Sequence, residues 1–206
     1  MIISLVGVLI VLFGLLSVFG AEEGKHIEDE HVGSYELATV PDGVMKYEDE
    51  IKSEMEEQDL DETFLPVLLA IASQESGGRV PDIFQSSESL GLPPNSIGAE
   101  ESIKQGVKYV KQLADKVGIE EASDEKLNLV LQSYNFGEGF IDFAKKNGGY
   151  SEEVAQNFSN DMAEKMGWTK YGDPKYVSNV SKYLGSTATG AIEGEIVGNM
   201  APPHRP

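Results

Sequence analysis

Glu75 stands where a carboxylate is least expected. It follows the apolar run FLPVLLAIA (64–72) and Ser73-Gln74, and Gly77-Gly78 comes just behind it. A carboxyl pressed against apolar groups loses hydration and answers by raising its pKa. The negative end of a helix dipole pushes the same way. An acid that keeps its proton near neutrality can protonate a leaving oxygen, which is what cleavage of a glycosidic bond requires. Two glycines beside it could let a bulky polymer approach the backbone. Taken alone, the stretch favours a plainer reading: an exposed glutamate in a last helical turn, with Gly-Gly as the stop.

Other chemistries find little support. There is no cysteine among the 206 residues, hence no disulfide, thiol nucleophile or thiolate metal site. His26, His31 and His204 fall in polar segments near the two ends, without metal-ligand spacing. No metal and no cofactor are expected. The net charge is −19, and residues 22–63 alone hold 16 acidic against 3 basic side chains. Such a chain has no electrostatic footprint for nucleic acid, and an acidic block usually reads as a solvated face or arm.

The elements that must position Glu75 are helical. Val44, Tyr47, Ile51 and Met55 recur at steps of three and four. Asp61 suits the cap of a second helix, which runs through Phe64–Ala72 with almost no polar face and therefore belongs at the centre. Residues 79–98, with prolines at 81, 93 and 94, read as a long loop with at most one helical turn, of the kind that carries function. Ile103, Val107, Val110 and Leu113 mark a helix over 99–117. Asp124 suits the cap of the next, with Leu127, Val130, Leu131 and Tyr134 on one face. A short helix carries Phe140, Ile141, Phe143 and Ala144. Another opens at Ser151 and carries Val154, Phe158, Met162 and Met166. The last opens at Asp173-Pro174 and carries Tyr176, Val177, Val180 and Tyr183. No stretch alternates as a strand should, and the fold class is all-α: one globular domain.

Residues 1–21 carry no charged side chain and are long enough to cross a bilayer. They read as a membrane anchor or a signal segment, forming an N-terminal hydrophobic helix. Residues 22–43 read as an acidic linker, 44–185 as the folded domain, and 186–206, rich in Gly, Ala, Thr and Pro, as a disordered tail. The domain is expected outside the cytoplasm, either tethered to the outer face of the membrane or released to the wall.

In this order, AIASQESGG, PDIFQSSES, GLPPN, ESIKQGVKY, LQSYNFGEGFIDF, KNGGYS and GWTKYGDPKYV resemble the CwlT-type lysozyme-like domain. That domain is found in Gram-positive cell-wall hydrolases, including those of conjugative elements, and in the pneumococcal vaccine antigen A group. The resemblance covers about residues 44–184. It implies a relative of goose lysozyme and the lytic transglycosylases, acting on peptidoglycan glycan strands between MurNAc and GlcNAc, with Glu75 as the catalytic acid. The family's LMQ segment falls on Ile83-Phe84-Gln85, with Phe84 for methionine, a change expected to alter groove packing. Its AYN segment falls on Ser133-Tyr134-Asn135, with Ser133 for alanine. Only the glycan-cleaving activity is implied, without the peptidase domain such proteins often carry.

The chemistry of these side chains suggests roles. Gln85 suits an N-acetyl or hydroxyl group. Tyr134 could hydrogen-bond Glu75 or the sugar. Asn135 suits either the substrate or an interior cap. Ser86, Ser87 and Glu88 lie on the expected substrate loop or form only a polar turn, and Tyr109, Trp168 and Tyr171 could stack on sugars, although Tyr109 at helical spacing reads as core. Asp82 and Glu88 are the nearby candidates for a second carboxylate. Without one, a positioned water or the sugar's own 6-hydroxyl would have to relieve the oxocarbenium-like state, and the latter would make the enzyme a lytic transglycosylase. A wall-binding module that keeps the groove but not the acid's use is the alternative of another class.

Overall fold

The computed structural model describes residues 37, 39–123 and 126–185. The expected anchor (1–21), tail (186–206) and Asp124 cap, and most of the expected linker, lie outside the described residues. Among the described residues, eight α-helices follow in order: α1 (Asp42–Met45), α2 (Glu48–Glu57), α3 (Leu65–Glu75), α4 (Ala99–Val117), α5 (Leu127–Phe136), α6 (Gly139–Lys146), α7 (Glu152–Met166) and α8 (Tyr176–Val180). Short 3₁₀ turns occupy Glu62–Phe64, Ser86–Leu90 and Ser181–Tyr183. Among the described residues there is no strand, only one antiparallel pairing of Leu37 with Leu184. No helix among them is long and apolar enough to cross a membrane. The fold is all-α, as the periodicities require.

The central helix is α3, for the reason its sequence suggests. Every side chain from Val67 to Ser73 is buried. Fully buried Leu68, Leu69 and Ile71 each stabilise the fold by roughly 1.5–3 kcal/mol. Asp61 caps the preceding 3₁₀ turn by accepting from the Thr63 N–H. Helix α3 packs on α1, α2 and α8, while α5 packs on α4, α6 and α8. The C-terminal ends of α3 and α5, where the candidate residues sit, are thus bridged by α8.

Two expectations need correction. The linker expected over 22–43 stops short of residue 43. Leu37 and Val40 pack on the core, and α1 begins at Asp42, its first turn closed by N–H donation from Val44 to the Pro41 carbonyl (2.8 Å). The apolar residues in this stretch are too few to show a period, so the sequence reads as linker although the chain is packed. The glycines behind Glu75 also serve a different approach from the one expected. Gly78 has φ +69, and a β-carbon there would lie 2.1 Å from the carbonyl carbon and oxygen of Gly43. The backbone that comes close is the chain's own: α1 seats on the turn that ends α3.

Candidate active site

Helix α3 ends at Glu75, and Ser76 and Gly77 both donate backbone N–H to the Ala72 carbonyl (3.1 Å each). Ser76 then turns its hydroxyl onto the Ile83 carbonyl (2.9 Å), tying the helix end to the loop that follows. Glu75 emerges half-buried in a polar cleft of about 380 Å³ lined also by Gln85, Ser86, Glu88, Tyr109, Tyr134 and Asn135, with Tyr171 on its wall. Burial raises its pKa to about 7. A hydrogen bond from Tyr176 pulls it down, and the charges of Asp82 and Glu88 raise it further. The carboxyl therefore holds a proton over a substantial part of the neutral range, and the bland reading of an exposed last-turn residue does not describe it.

The hydroxyl on Glu75 belongs to Tyr176, not Tyr134. Tyr176 Oη donates to Glu75 Oε1 at 2.5 Å. Tyr134 lines the cleft, but its hydroxyl donates to the Phe84 carbonyl (2.9 Å). The two rings stack at 6.4 Å and 15°, and Tyr109 tilts against Tyr134 at 5.5 Å. Burial, and the nearby Glu75 charge, push both Tyr134 and Tyr176 well above the usual phenol pKa, so both act as donors. Tyr176 lies on the last helix, as its spacing predicts, and it is buried. Its hydroxyl reaches the acid because α8 packs between α3 and α5. No local pattern in the sequence marks a partner 101 positions away.

The loop opposite is built around Asp82. Its side chain is fully buried. Its Oδ1 accepts from the Ser102 hydroxyl (2.7 Å) and the Ser86 N–H (2.9 Å), and its Oδ2 accepts from the Ser87 N–H (3.2 Å). Burial alone would raise its pKa, but these donors together hold it below the usual carboxylate range. With both oxygens occupied, Asp82 serves as an anchor that fastens the loop to α4. Ser86 reaches the cleft only as a buried residue whose hydroxyl donates to the Ser102 carbonyl (3.1 Å). Ser87 is fully buried and is not among the cleft's lining residues. The polar turn read as substrate-facing thus spends Ser87 inward, because a tight 3₁₀ turn closed on a buried carboxylate must aim its N–H groups and neighbouring side chains at it.

Gln85 occupies left-handed backbone (φ 48) at the head of that turn. It lines the cleft while its Nε2 donates to the Asp82 carbonyl and to Asn95 Oδ1, each at 2.8 Å. Phe84 is fully buried and packs on α4, where a β-carbon on Gly106 would lie 2.5 Å from its ring. The phenylalanine therefore fills core beneath the loop and does not line the groove. Asn135 lines the cleft, and its Oδ1 accepts from the Asp173 N–H (2.6 Å). Gln132 holds the Asp173 carbonyl (2.9 Å), so α5 clamps the segment that leads into α8 and Tyr176. Glu88 is exposed, and besides Glu75 it is the cleft's other lining carboxylate.

A larger apolar hollow of about 550 Å³ lies between α2 and the start of α3, but it contains neither Glu75 nor any of the groups just described. The polar cleft holds the raised pKa, the phenol donor and the clamped loops together, and that combination makes it the candidate active site.

Comparison with known proteins bears on the family. The family model for lysozyme-like domains matches residues 41–200. The bifunctional muramidase/DL-endopeptidase CwlT of Bacillus subtilis is 51% identical over 120 residues, which is 57% of this chain and 35% of that protein. Pneumococcal vaccine antigen A of Streptococcus pneumoniae is 28% identical over 149 residues, covering 69% of this chain and 70% of that one. A solved structure from Staphylococcus aureus, described as similar to a lipoprotein of the NLP/P60 family, superposes with a TM-score of 0.63 at 38% identity over 73% of this chain and 55% of that one. The chain spans about a third of the length of CwlT and about half of the Staphylococcus aureus protein.

Proposed function

The chain belongs to the lysozyme-like family, and on that footing we propose that it is a peptidoglycan glycan-strand hydrolase that cuts between MurNAc and GlcNAc with Glu75 as general acid. The observation that carries this reading is the Glu75 carboxyl itself, lifted to about 7 by burial at the floor of a polar cleft. Its similarity to a muramidase from Bacillus subtilis supports the same reading.

In this mechanism Glu75 gives its proton to the glycosidic oxygen as the C1–O bond breaks, and the departing sugar leaves as a neutral 4-hydroxyl. Glu75 is left as a carboxylate, and the Tyr176 hydroxyl then holds a full negative charge. Such a bond strengthens as the reaction proceeds and so favours the transition state over the ground state. Water adds to the oxocarbenium-like carbon. Glu88 is the lining carboxylate available to take that water's proton. Asp82 is unsuited to attack or to base catalysis, since it is fully buried and N–H and O–H donors occupy both its oxygens. Gln85 and Asn135 are the polar groups suited to orient the N-acetyl substituents.

Digestion of purified peptidoglycan with mass analysis of the fragments tests the reading. Reducing MurNAc ends are expected. Anhydro ends would mean that the sugar's 6-hydroxyl takes the place of water, and the enzyme would be a lytic transglycosylase. No fragments from wild type, or undiminished fragments from a folded Glu75→Gln protein, would refute it. Residues 1–21 are proposed to place the domain at the outer face of the membrane, or to direct its export. One relative at 40% identity is a membrane protein of Bacillus subtilis, YocA.

A further inference from the structure

Trp168 is the chain's one tryptophan and is 57% exposed. It sits just beyond α7, where Gly167 adopts left-handed backbone (φ 68) and the Trp168 N–H donates to the Ala163 carbonyl (2.8 Å). Its ring lies nearly parallel to Tyr171, at 6.0 Å and 23°. Tyr171 is fixed in turn: its hydroxyl donates to the Phe136 carbonyl (2.9 Å), its carbonyl accepts from Ser159 (2.6 Å), and its ring packs on Phe136 and Phe158. Tyr171 also lines the cleft that holds Glu75. The indole therefore continues the aromatic wall of the cleft outward onto the surface.

Leaving so large an apolar ring in water forgoes stabilisation that burial would supply. This ring is also backed by a second aromatic and anchored at its backbone, which gives it a flat and pre-ordered face. Exposed Leu90 and Leu92, in the segment just after Glu88, are aliphatic and present no such plane. The negative face of an indole attracts the polarised C–H bonds on one side of a pyranose ring, as it attracts other positive edges. We propose that Trp168, stacked on Tyr171, is a secondary saccharide platform that holds a pyranose of the glycan strand outside the catalytic cleft. The occupant follows from continuity: a strand leaving the cleft along Tyr171 meets the indole next. This inference rests on the reading of the cleft as a glycan-cleaving site.

A contact made equally in bound substrate and transition state lowers KM and leaves kcat alone. The platform should therefore favour strands long enough to reach it. Because no other tryptophan is present, emission reports this position by itself. The full chain carrying Glu75→Gln, titrated with neutral GlcNAc oligomers, should show a saturable change in tryptophan emission with long oligomers and none with the monosaccharide. High salt should leave the change intact. In the otherwise wild-type enzyme, Trp168→Ala should raise KM on long strands about tenfold, and Trp168→Tyr should recover most of the loss. Oligomers that bind by saturation-transfer NMR without altering emission would overturn the proposal. So would an unchanged KM in Trp168→Ala, or an emission response confined to anionic peptides and lost in salt. If wild type cleaves no glycan while long oligomers still change the emission, the catalytic reading fails and the platform stands.

Discussion

An acid kept protonated by burial lowers the stability of its own fold whenever the solution is basic enough to ionise it. Glu75 titrates near 4.5 when unfolded and about 7 in the fold. Its folded pKa is raised, so its contribution is fully present below about pH 4.5 and is lost as pH rises through about 7. That difference corresponds to about 3 kcal/mol as an upper bound. Glu75→Gln keeps the shape and an oxygen to accept from Tyr176, but removes the titration. The variant should match or fall slightly below wild type at pH 4.5, and exceed it at pH 8. For a domain of this size the gain corresponds to about 6–12 °C in Tm at the bound. Thermal melts of both proteins across pH 4.5 to 8.5 measure it. The difference between the two curves isolates the carboxyl, because every other titrating group is common to both. A difference that does not change with pH would refute the burial argument. A variant increasingly less stable as pH rises would show that the native site favours the charged form.

Removing the Tyr176 hydroxyl takes away a donor that stabilises ionised Glu75, so Tyr176→Phe should move the alkaline limb of the pH–rate profile upward by about 1 pH unit or more, with reduced kcat; a limb that stays in place would separate Tyr176 from the acid. Tyr134→Phe should instead cost stability through the freed Phe84 carbonyl, with little movement of that limb, as melts and pH–rate profiles on one preparation would show. Gly78→Ala forces a β-carbon into the Gly43 backbone at left-handed φ and should destabilise by about 3 kcal/mol or more in denaturant titration. Ser133 is fully buried and its hydroxyl has no partner among the described residues, so Ser133→Ala should stabilise by about 1 kcal/mol in the same titration.

The sequence was most legible where one element's own residues decide the outcome. The stripe of Ile103, Val107, Val110 and Leu113 marks α4 from Ala99 to Val117, because a half-buried helix writes its period directly into the chain. Asp61 and Ser151 cap their turns through local hydrogen bonds. Glu75 stood out because a carboxylate beside nine apolar or small residues conflicts with its surroundings. What stayed hidden depends on elements far apart in the chain. Tyr134 and Tyr176 are both aromatics at helical spacing, and only the packing of α8 between α3 and α5 assigns the acid to the second. Ser86, Ser87 and Asp82 look like any polar turn until Ser102 on α4 closes the network from beneath. Phe84 looks like a groove residue until Gly106 leaves it room in the core. Leu37 shows no period and finds its place by pairing with Leu184 and packing on the core.

That last pairing has a consequence for how the domain is handled as a unit. Near the two ends of the described residues, Leu37 and Leu184 lie side by side in an antiparallel bridge. The two ends of the described stretch therefore share one doorway. A unit with its ends already together can be spliced into a surface loop of another protein without prying the host open, since the host sees only a short closed gap. It can equally be cut elsewhere and rejoined across the doorway: a chain with residue 184 linked to residue 37 and new ends opened in the Gly148-Gly149 turn should still fold and keep the cleft. Joined this way, the domain behaves as a cassette whose position in a longer polypeptide is free, while the geometry around Glu75 travels with it unchanged.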